Sequence, residues 1–321
     1  MTDKVIKIGF SDFWPHLAKD NYFLRLLQKH FNVVESVDPD YLFYSVYGQT
    51  HLKHDCIKIC FTGENVVPDF NLCDYALGFH YLNFDDRYLR FPLYVIYPGY
   101  EALANKAMPN ADVLLNRKFC NFVYSNNTNS HPARELFFKQ LSEYKRIDSG
   151  GKFLNNLGFT VGDKISFIQG YKFTLAMENS SVPGYTTEKI MEPMTVNSMP
   201  VYWGNPLLHL DFNEASLVNV MRYPSFEAAI QEIIRLDTDE HAYVEKLSLP
   251  WLTPRDWEGE ILHFFEKIFN QDLEAAKRAP RYGFGQYNRM EKIQQADLLT
   301  NQRKSNRFKA SALKLVKRFT K

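Results

Sequence analysis

The sequence predicts an α/β protein: two doubly wound, Rossmann-like domains facing each other across a cleft, followed by a helical tail. Three observations carry this. Short β-rich runs alternate with amphipathic helical ones in both halves, the pattern of parallel sheets covered by helices. Residues 97–117, with Pro98, Gly99, Pro109 and Asn110, lose any clear period and read as the connection between the halves. A length of 321 residues suits two domains of ordinary size, each with its own core. The domains that follow are 1–115, 116–271 and a tail over 272–321.

In the first half, residues 5–10 form a strong opening strand and Trp14 falls in a loop. Phe23, Leu24, Leu27 and Phe31 then recur at helical spacing. Residues 32–35 and 41–44 read as strands. Residues 57–61 are a buried-type strand ending in the polar turn 62–65, at the edge where α/β folds build their sites. Residues 74–79 are one more strand, and 85–92 are dense in charge beside apolar residues. The second half restarts with a strand at 118–124, whose end is the polar run 125–130. A helix from about Pro132 carries Arg134 in its first turn. Residues 172–177 lead into the turn 178–184; a helix opens at Glu188, capped by Thr186 or Thr187, and 199–204 complete a βαβ unit. A short strand at 217–220 and amphipathic helices at 225–236 and 239–247 follow.

Composition bounds the function. Apolar content of 45% and charged content of 23% are those of a soluble globular protein. The 26 Phe and 19 Tyr fill cores and can wall binding surfaces. A net charge of +1 gives no sign of nucleic acid as a partner, but the last twenty residues carry +8 and no acid, which leaves −7 on the rest. On a helical wheel Phe308, Ala312, Leu315, Val316 and Phe319 share one face and Arg307, Lys314, Lys317, Arg318 and Lys321 the other, as in helices that lie in an anionic membrane interface; a helix packed on another subunit, or a disordered end, is the alternative. The amino terminus lacks a signal core and no apolar run reaches the roughly 18 residues of a span, so the expected compartment is the cytoplasm. There the sequons at Asn126 and Asn179 carry no meaning. Cys56, Cys60, Cys73 and Cys120 form no CxxC pair and read as free thiols, Cys56 and Cys60 within a strand; His51 and His54 have the wrong spacing for a structural zinc site.

The turn 178–184 and the helix after it are the densest source of chemistry. Gly184 permits backbone conformations closed to other residues, and a helix amino terminus beside a Gly-containing turn offers free N–H groups to an anion, phosphate above all. Asn179, Tyr185, Glu188 and Lys189 share this βα turn: Lys189 can offset phosphate charge, Glu188 can accept from sugar hydroxyls, and Tyr185 can stack, hydrogen-bond or simply fill core. Arg134 stands at a second strand-to-helix junction, and two cations converging from parallel turns neutralise a diphosphate without a metal. Neither GxGxxG nor GxxxxGK[ST] occurs. Asp237-Thr238-Asp239 has the D-x-D form that holds manganese in some sugar transferases, but it falls between two helices, where these residues serve as caps. Glu64, at the end of a buried strand, is either a turn residue or a general base facing the cleft. Asp85 and Asp86, with Arg87 and Arg90 beside them, read as ion-pair residues.

At these residues the chain resembles the bacterial α1,3-fucosyltransferases of glycosyltransferase family ten. The resemblance is carried by MENS…GYTTEKI…MPVYWGNP between Phe173 and Pro206, FTGEN from Phe61 to Asn65, PDFNLCDYALGF from Pro68 to Phe79, DDRYLRFPLY from Asp85 to Tyr94 and FCNFVYSN from Phe119 to Asn126. It implies the GT-B fold, with an acceptor domain first and a GDP-fucose domain second, and no required metal or other cofactor. Position by position it implies Glu64 as the base, Arg134 on the donor diphosphate, Asn179, Tyr185, Glu188 and Lys189 as donor contacts, Val161 near the guanine, and Ser125 and Asn126 within the donor site. The activity implied is inverting transfer of L-fucose to O3 of N-acetylglucosamine in galactose-β1,4-N-acetylglucosamine glycans, giving a Lewis x-like product. An α1,4 or dual linkage, or another sugar nucleotide, is the alternative. From a different class, a two-lobed binding protein would be exported and would lack a cleft carboxylate. The basic tail resembles the membrane-attaching tails of bacterial members, which places the chain on the cytoplasmic face of the inner membrane through 303–321, although no run of heptad repeats precedes it.

Overall fold

A computed structural model describes residues 4–14 and 21–319, with side chains through residue 304. The first sheet holds β1 Ile6–Ser11, β2 Val33–Glu35, β3 Tyr41–Tyr44, β4 Ile57–Phe61, β5 Tyr75–Gly78 and β6 Tyr88–Arg90 in the order β2-β1-β3-β4-β5-β6. The second holds β7 Lys118–Phe122, β8 Ile147–Ser149, β9 Tyr171–Met177, β10 Met199–Trp203 and β11 Val218–Asn219 in the order β11-β10-β9-β7-β8. Every pairing is parallel. The expected architecture of two Rossmann-like sheets is therefore the one observed. In each, the strand order reverses once, between β1 and β3 and between β7 and β9, and such a reversal opens a crevice at the carboxyl ends of the two strands.

Local sequence explains these elements. All residues of β4 (IKICF) and β9 (YKFTLAM) are buried, Lys58, Lys172 and Thr174 included, as in strands covered on both faces. Asn21 caps the helix Tyr22–His30 by accepting from the N–H groups of Phe23 and Leu24, and the helix buries Phe23, Leu26 and Leu27. The aperiodic stretch 97–117 contains two short helices, Tyr100–Ala104 and Ala111–Leu115; five residues each is too short for a period to show. The strands β6 and β8, three residues each, escape the sequence pattern for the same reason. Cys56 precedes β4 rather than lying in it, and all four thiols are free.

The helix Trp257–Phe269 was not foreseen either, and it leaves the second half to cover the first sheet. Phe265 meets Phe43 at 5.4 Å, Phe269 meets Tyr41 at 4.9 Å, and Trp257 stands edge-on to Phe91 at 5.9 Å. The two halves are also clamped directly. Arg90 donates from both terminal nitrogens to Asp211, at 2.9 and 2.5 Å, and Asp211 has no exposed side-chain surface. Asp86 pairs with Arg278 at 2.6 Å, and Arg87 donates to the carbonyls of Phe70, Cys73 and Asp74, so these two are ion-pair and bracing residues, whereas Asp85 pairs with no cation among the described residues. In the D-x-D, Asp239 caps the next helix by accepting from Ala242 N–H, whereas Asp237 is no cap: it pairs with Lys145 at 2.9 Å and Lys172 at 3.7 Å. His51 is held by Asp12 at 2.7 Å, and among the described residues no group of three or more His, Cys, Asp or Glu is placed to hold a metal ion.

The chain ends in a long helix, Gly283–Phe319. The side chains of 305–321, which include most of the basic amphipathic stretch, lie outside the described residues. No described helix is long and apolar enough to cross a membrane.

Candidate active site

The loop after β7 and the loop after β9 meet at the reversal point of the second sheet, and Arg134 joins them. One terminal nitrogen donates to Ser130 Oγ at 2.6 Å and to the Asn126 carbonyl at 3.3 Å; the other donates to Asn179 Oδ1 at 2.6 Å and to the Met177 carbonyl at 3.0 Å. Its guanidinium carbon lies 4.2 Å from the centre of the Tyr124 ring. Arg134 is only 1% exposed, and among the described residues no carboxylate pairs with it; its buried Nε has no hydrogen-bond partner. A buried cation without a counter-ion is costly, so Arg134, at a strand-order reversal, is a candidate contact for an anion.

Lys189 is arranged differently. Its ammonium lies 3.1 Å from Glu178, which is fully buried, and 3.5 Å from Glu188, and it donates to Thr187 Oγ1 at 2.9 Å. Burial alone would push the lysine pKa down, but the two carboxylates outweigh it and hold the group above its ordinary value. For Glu188 burial pushes upward, and Lys189 and Lys164 outweigh it to leave the carboxyl below its usual range. Thr187 occupies the cap position of the helix Glu188–Thr195 without capping it: its hydroxyl and N–H both donate to Glu178. Glu178, not singled out in the sequence, thus organises the helix start from below. Its own pKa is raised, by burial first, against the pull of Lys189.

Gly184 adopts φ 87°, and a Cβ there would fall 2.2 Å from the Phe79 carbonyl, so the turn approaches the first domain as only glycine can. Tyr185 is 2% exposed and packs on Phe79 at 5.1 Å; its phenol lies in the interface between the domains, with its pKa raised by burial and then by Glu178. Asn65 Nδ2 donates to Ser180 Oγ at 3.0 Å, which ties the β4 turn to the turn after β9. Next to it, Glu64 is exposed and accepts from the Tyr47 hydroxyl at 2.6 Å, and Trp14 stands edge-on to Tyr47 at 5.8 Å. Tyr47 was another residue the sequence did not single out, since it comes from a different loop. Asn126 is exposed, contributing its carbonyl to Arg134, and Ser125 is exposed beside it. Val161 is half-buried, its N–H donating to the Gly150 carbonyl at 2.9 Å, which folds its loop over the β8 end of the same crevice. Glu64, Arg134, Asn179, Tyr185, Glu188 and Lys189 are therefore gathered around the meeting of the two domains, with Ser125, Asn126 and Val161 on its β7–β8 flank.

Two family models match this chain. Residues 8–97 match the alpha-(1,3)-fucosyltransferase FucT N-terminal domain, and 115–252 match the glycosyltransferase family 10 (fucosyltransferase) C-terminal domain. The chain is 34% identical over 261 residues to the alpha-(1,3)-fucosyltransferase FucT of Helicobacter pylori, an alignment covering 67% of this chain and 53% of that protein. It is 26% identical over 199 residues to alpha-(1,3)-fucosyltransferase B of Drosophila melanogaster, covering 53% and 43%. The chain thus spans about half the length of these relatives. A crystal structure of an α1,3-fucosyltransferase with GDP-fucose superposes with a TM-score of 0.71 at 30% identity, covering 85% of this chain and 93% of that one. An α-glucosyltransferase in complex with UDP, at 9% identity and a TM-score of 0.51, shares the fold alone. With matched models in both halves and a solved relative covered almost end to end, the chain belongs to glycosyltransferase family 10, the fucosyltransferases.

Proposed function

We propose that this chain transfers L-fucose from GDP-fucose to O3 of N-acetylglucosamine in a galactose-β1,4-N-acetylglucosamine glycan, with inversion at the sugar carbon. The observation that carries the reading is Arg134, buried at the reversal of the second sheet with no carboxylate partner among the described residues, while the exposed carboxylate Glu64 stands on the first-domain turn that Asn65 ties to Ser180. The acceptor oxygen attacks C1 of β-linked fucose while the C1–O bond to the diphosphate breaks. The electron pair leaves with GDP, and the acceptor proton passes to Glu64 as C1 traverses an oxocarbenium-like state. Arg134, Lys189 and the N–H groups opening the helix at Glu188 stabilise the departing diphosphate, which is the charge a metal would otherwise meet. Asn179, Tyr185 and Glu188 are read as further donor contacts, and Val161, Ser125 and Asn126 as contacts on its nucleoside side. The basic end at 303–321 is read as a peripheral contact with the anionic cytoplasmic face of the inner membrane.

The test is incubation with GDP-fucose and a panel of type 1 and type 2 disaccharides, with the product linkage read by NMR. An O3-linked type 2 product is expected; O4-linked product would replace the linkage by α1,4 or dual, and transfer only from another sugar nucleotide would overturn the donor. Glu64→Gln should lower turnover by about 100- to 10,000-fold while GDP affinity, measured by calorimetry, stays at the wild-type value. Wild-type turnover in that variant would remove Glu64 from the role.

A further inference from the structure

The helix Gly283–Phe319 follows the second domain yet lies on the first. Gln286, Arg289, Ile293 and Ala296 recur at helical spacing and are its covered residues, Ala296 only 6% exposed. The anchoring begins just ahead of it, where the N–H groups of Arg278 and Ala279 both donate to Asp74 Oδ1 at 2.8 Å. Along the helix Arg289 lies 3.7 Å from Asp55, and Lys292 pairs with Asp69. Between this helix and the loops after β3 and β4 is a cavity of about 370 Å³, within the size range of small-ligand pockets.

The cavity adjoins Glu64. Thr62, in its lining, accepts from the Glu64 N–H at 3.0 Å through Oγ1, and Val66, also in the lining, donates its N–H to the Glu64 carbonyl at 2.7 Å. Val46 and Gly48, on either side of the Tyr47 that holds Glu64, line it too. The walls combine apolar surface from Val46, Val66 and Leu299 with the amides of Gln49 and Gln295. A glycan presents matching chemistry, with C–H ring faces for the first and hydroxyl edges for the second. A purely hydrocarbon ligand would leave the amides unpaired, and a phosphate would find Lys292 of the lining already paired with Asp69.

We infer that this cavity holds the part of the acceptor glycan beyond the sugar being attacked, and that the helix, through residues 292–299, is one wall of the acceptor site. The inference rests on the transfer reading above. Leu299→Trp, on a side chain that is half exposed, narrows the cavity without touching a core. It should raise KM for N-acetyllactosamine oligomers about tenfold, the scale of overpacking a fitted space, with KM for GDP-fucose and GDP affinity unchanged. Lys292→Glu, which sets like charges against each other, should raise the same KM about threefold, and the exchange Asp69→Lys with Lys292→Glu should return it. Acceptor KM within error of wild type in Leu299→Trp overturns the inference while leaving transfer intact. Equal shifts in acceptor and GDP-fucose KM overturn it as well, because the helix would then act on the whole fold. No transfer by the wild type to any glycan refutes the underlying reading instead. Should Lys292→Glu fail to fold, Leu299→Trp decides the matter alone.

Discussion

Replacing Arg90 by alanine should destabilise the chain by about 3–5 kcal/mol, the cost of leaving one member of a buried pair without its partner. Asp211 has no exposed side-chain surface and takes two parallel hydrogen bonds from Arg90, at 2.9 and 2.5 Å. Arg90 Nε also donates to the Phe79 carbonyl at 3.0 Å, and the guanidinium lies 4.2 Å from the Tyr81 ring centre. Removing the guanidinium strands a carboxylate that water does not reach, and orphans a carbonyl against which the Gly184 turn is packed. At about 1.4 kcal/mol per factor of ten, the folded-to-unfolded ratio falls by two to nearly four orders of magnitude. Replacing both residues, Arg90→Met with Asp211→Leu, removes the stranded charge and should cost less than either single change. Urea titration followed by tryptophan fluorescence suits the test, because Trp257 lies 5.6 Å from the Arg90 guanidinium carbon. Since the pair spans the two halves, Arg90→Ala should also separate one unfolding transition into two, and KM for GDP-fucose should rise as the donor turn loosens. A variant within 1 kcal/mol of wild type with a single transition, or a double variant as unstable as the single, would refute the reasoning.

Lys58 is 2% exposed within β4, and burial, aided by Arg289, brings its pKa down from 10.5 to about 8. Between those values the unfolded chain holds a proton the native chain has lost, so wild-type stability rises with pH relative to Lys58→Met. The difference between the two proteins, by denaturant titration, should be constant below about pH 8 and shift steadily in favour of wild type up to about 10.5; a flat difference contradicts the burial argument. Co-sedimentation with anionic vesicles should be strong for wild type, weaken with salt over the range set by roughly 10 Å screening at 0.1 M, and vanish when Lys314, Lys317 and Arg318 become glutamate. Equal binding to neutral vesicles would contradict the membrane reading.

The fold was legible because both sheets are parallel, which writes β4 and β9 into the sequence as mostly apolar runs, broken only by Lys58, Lys172 and Thr174, and sets the site-bearing turns at their carboxyl ends. What stayed hidden depends on contacts between distant segments. Three-residue strands carry no period, the helix Trp257–Phe269 shows an apolar face without naming the sheet it covers, and the Arg90–Asp211 pair joins residues 121 positions apart. The same limit applies to Tyr47, whose bond to Glu64 exists only because the loops after β3 and β4 leave adjacent strands side by side.

It also applies to the two cations at the βα turns of the second sheet, Arg134 and Lys189, which the sequence presents as equals. Lys189 sits between Glu178 and Glu188, so its positive charge is already answered at 3.1 and 3.5 Å, and its neighbourhood offers little net attraction at a distance. Among the described residues Arg134 has neutral hydrogen-bond partners only: two carbonyls, a hydroxyl and an amide oxygen. Neutral acceptors orient a guanidinium without cancelling its field, and burial keeps that field from being screened by water. Among the described residues of the site, the positive charge without a carboxylate beside it therefore resides on Arg134. Lys189, held by Glu178 and Thr187 at the helix start, brings a charge that is already paired. Composition and spacing could identify both as cations beside a βα turn. Only the buried carboxylate beneath one, and the absence of any beside the other among the described residues, separates the paired cation from the unpaired one.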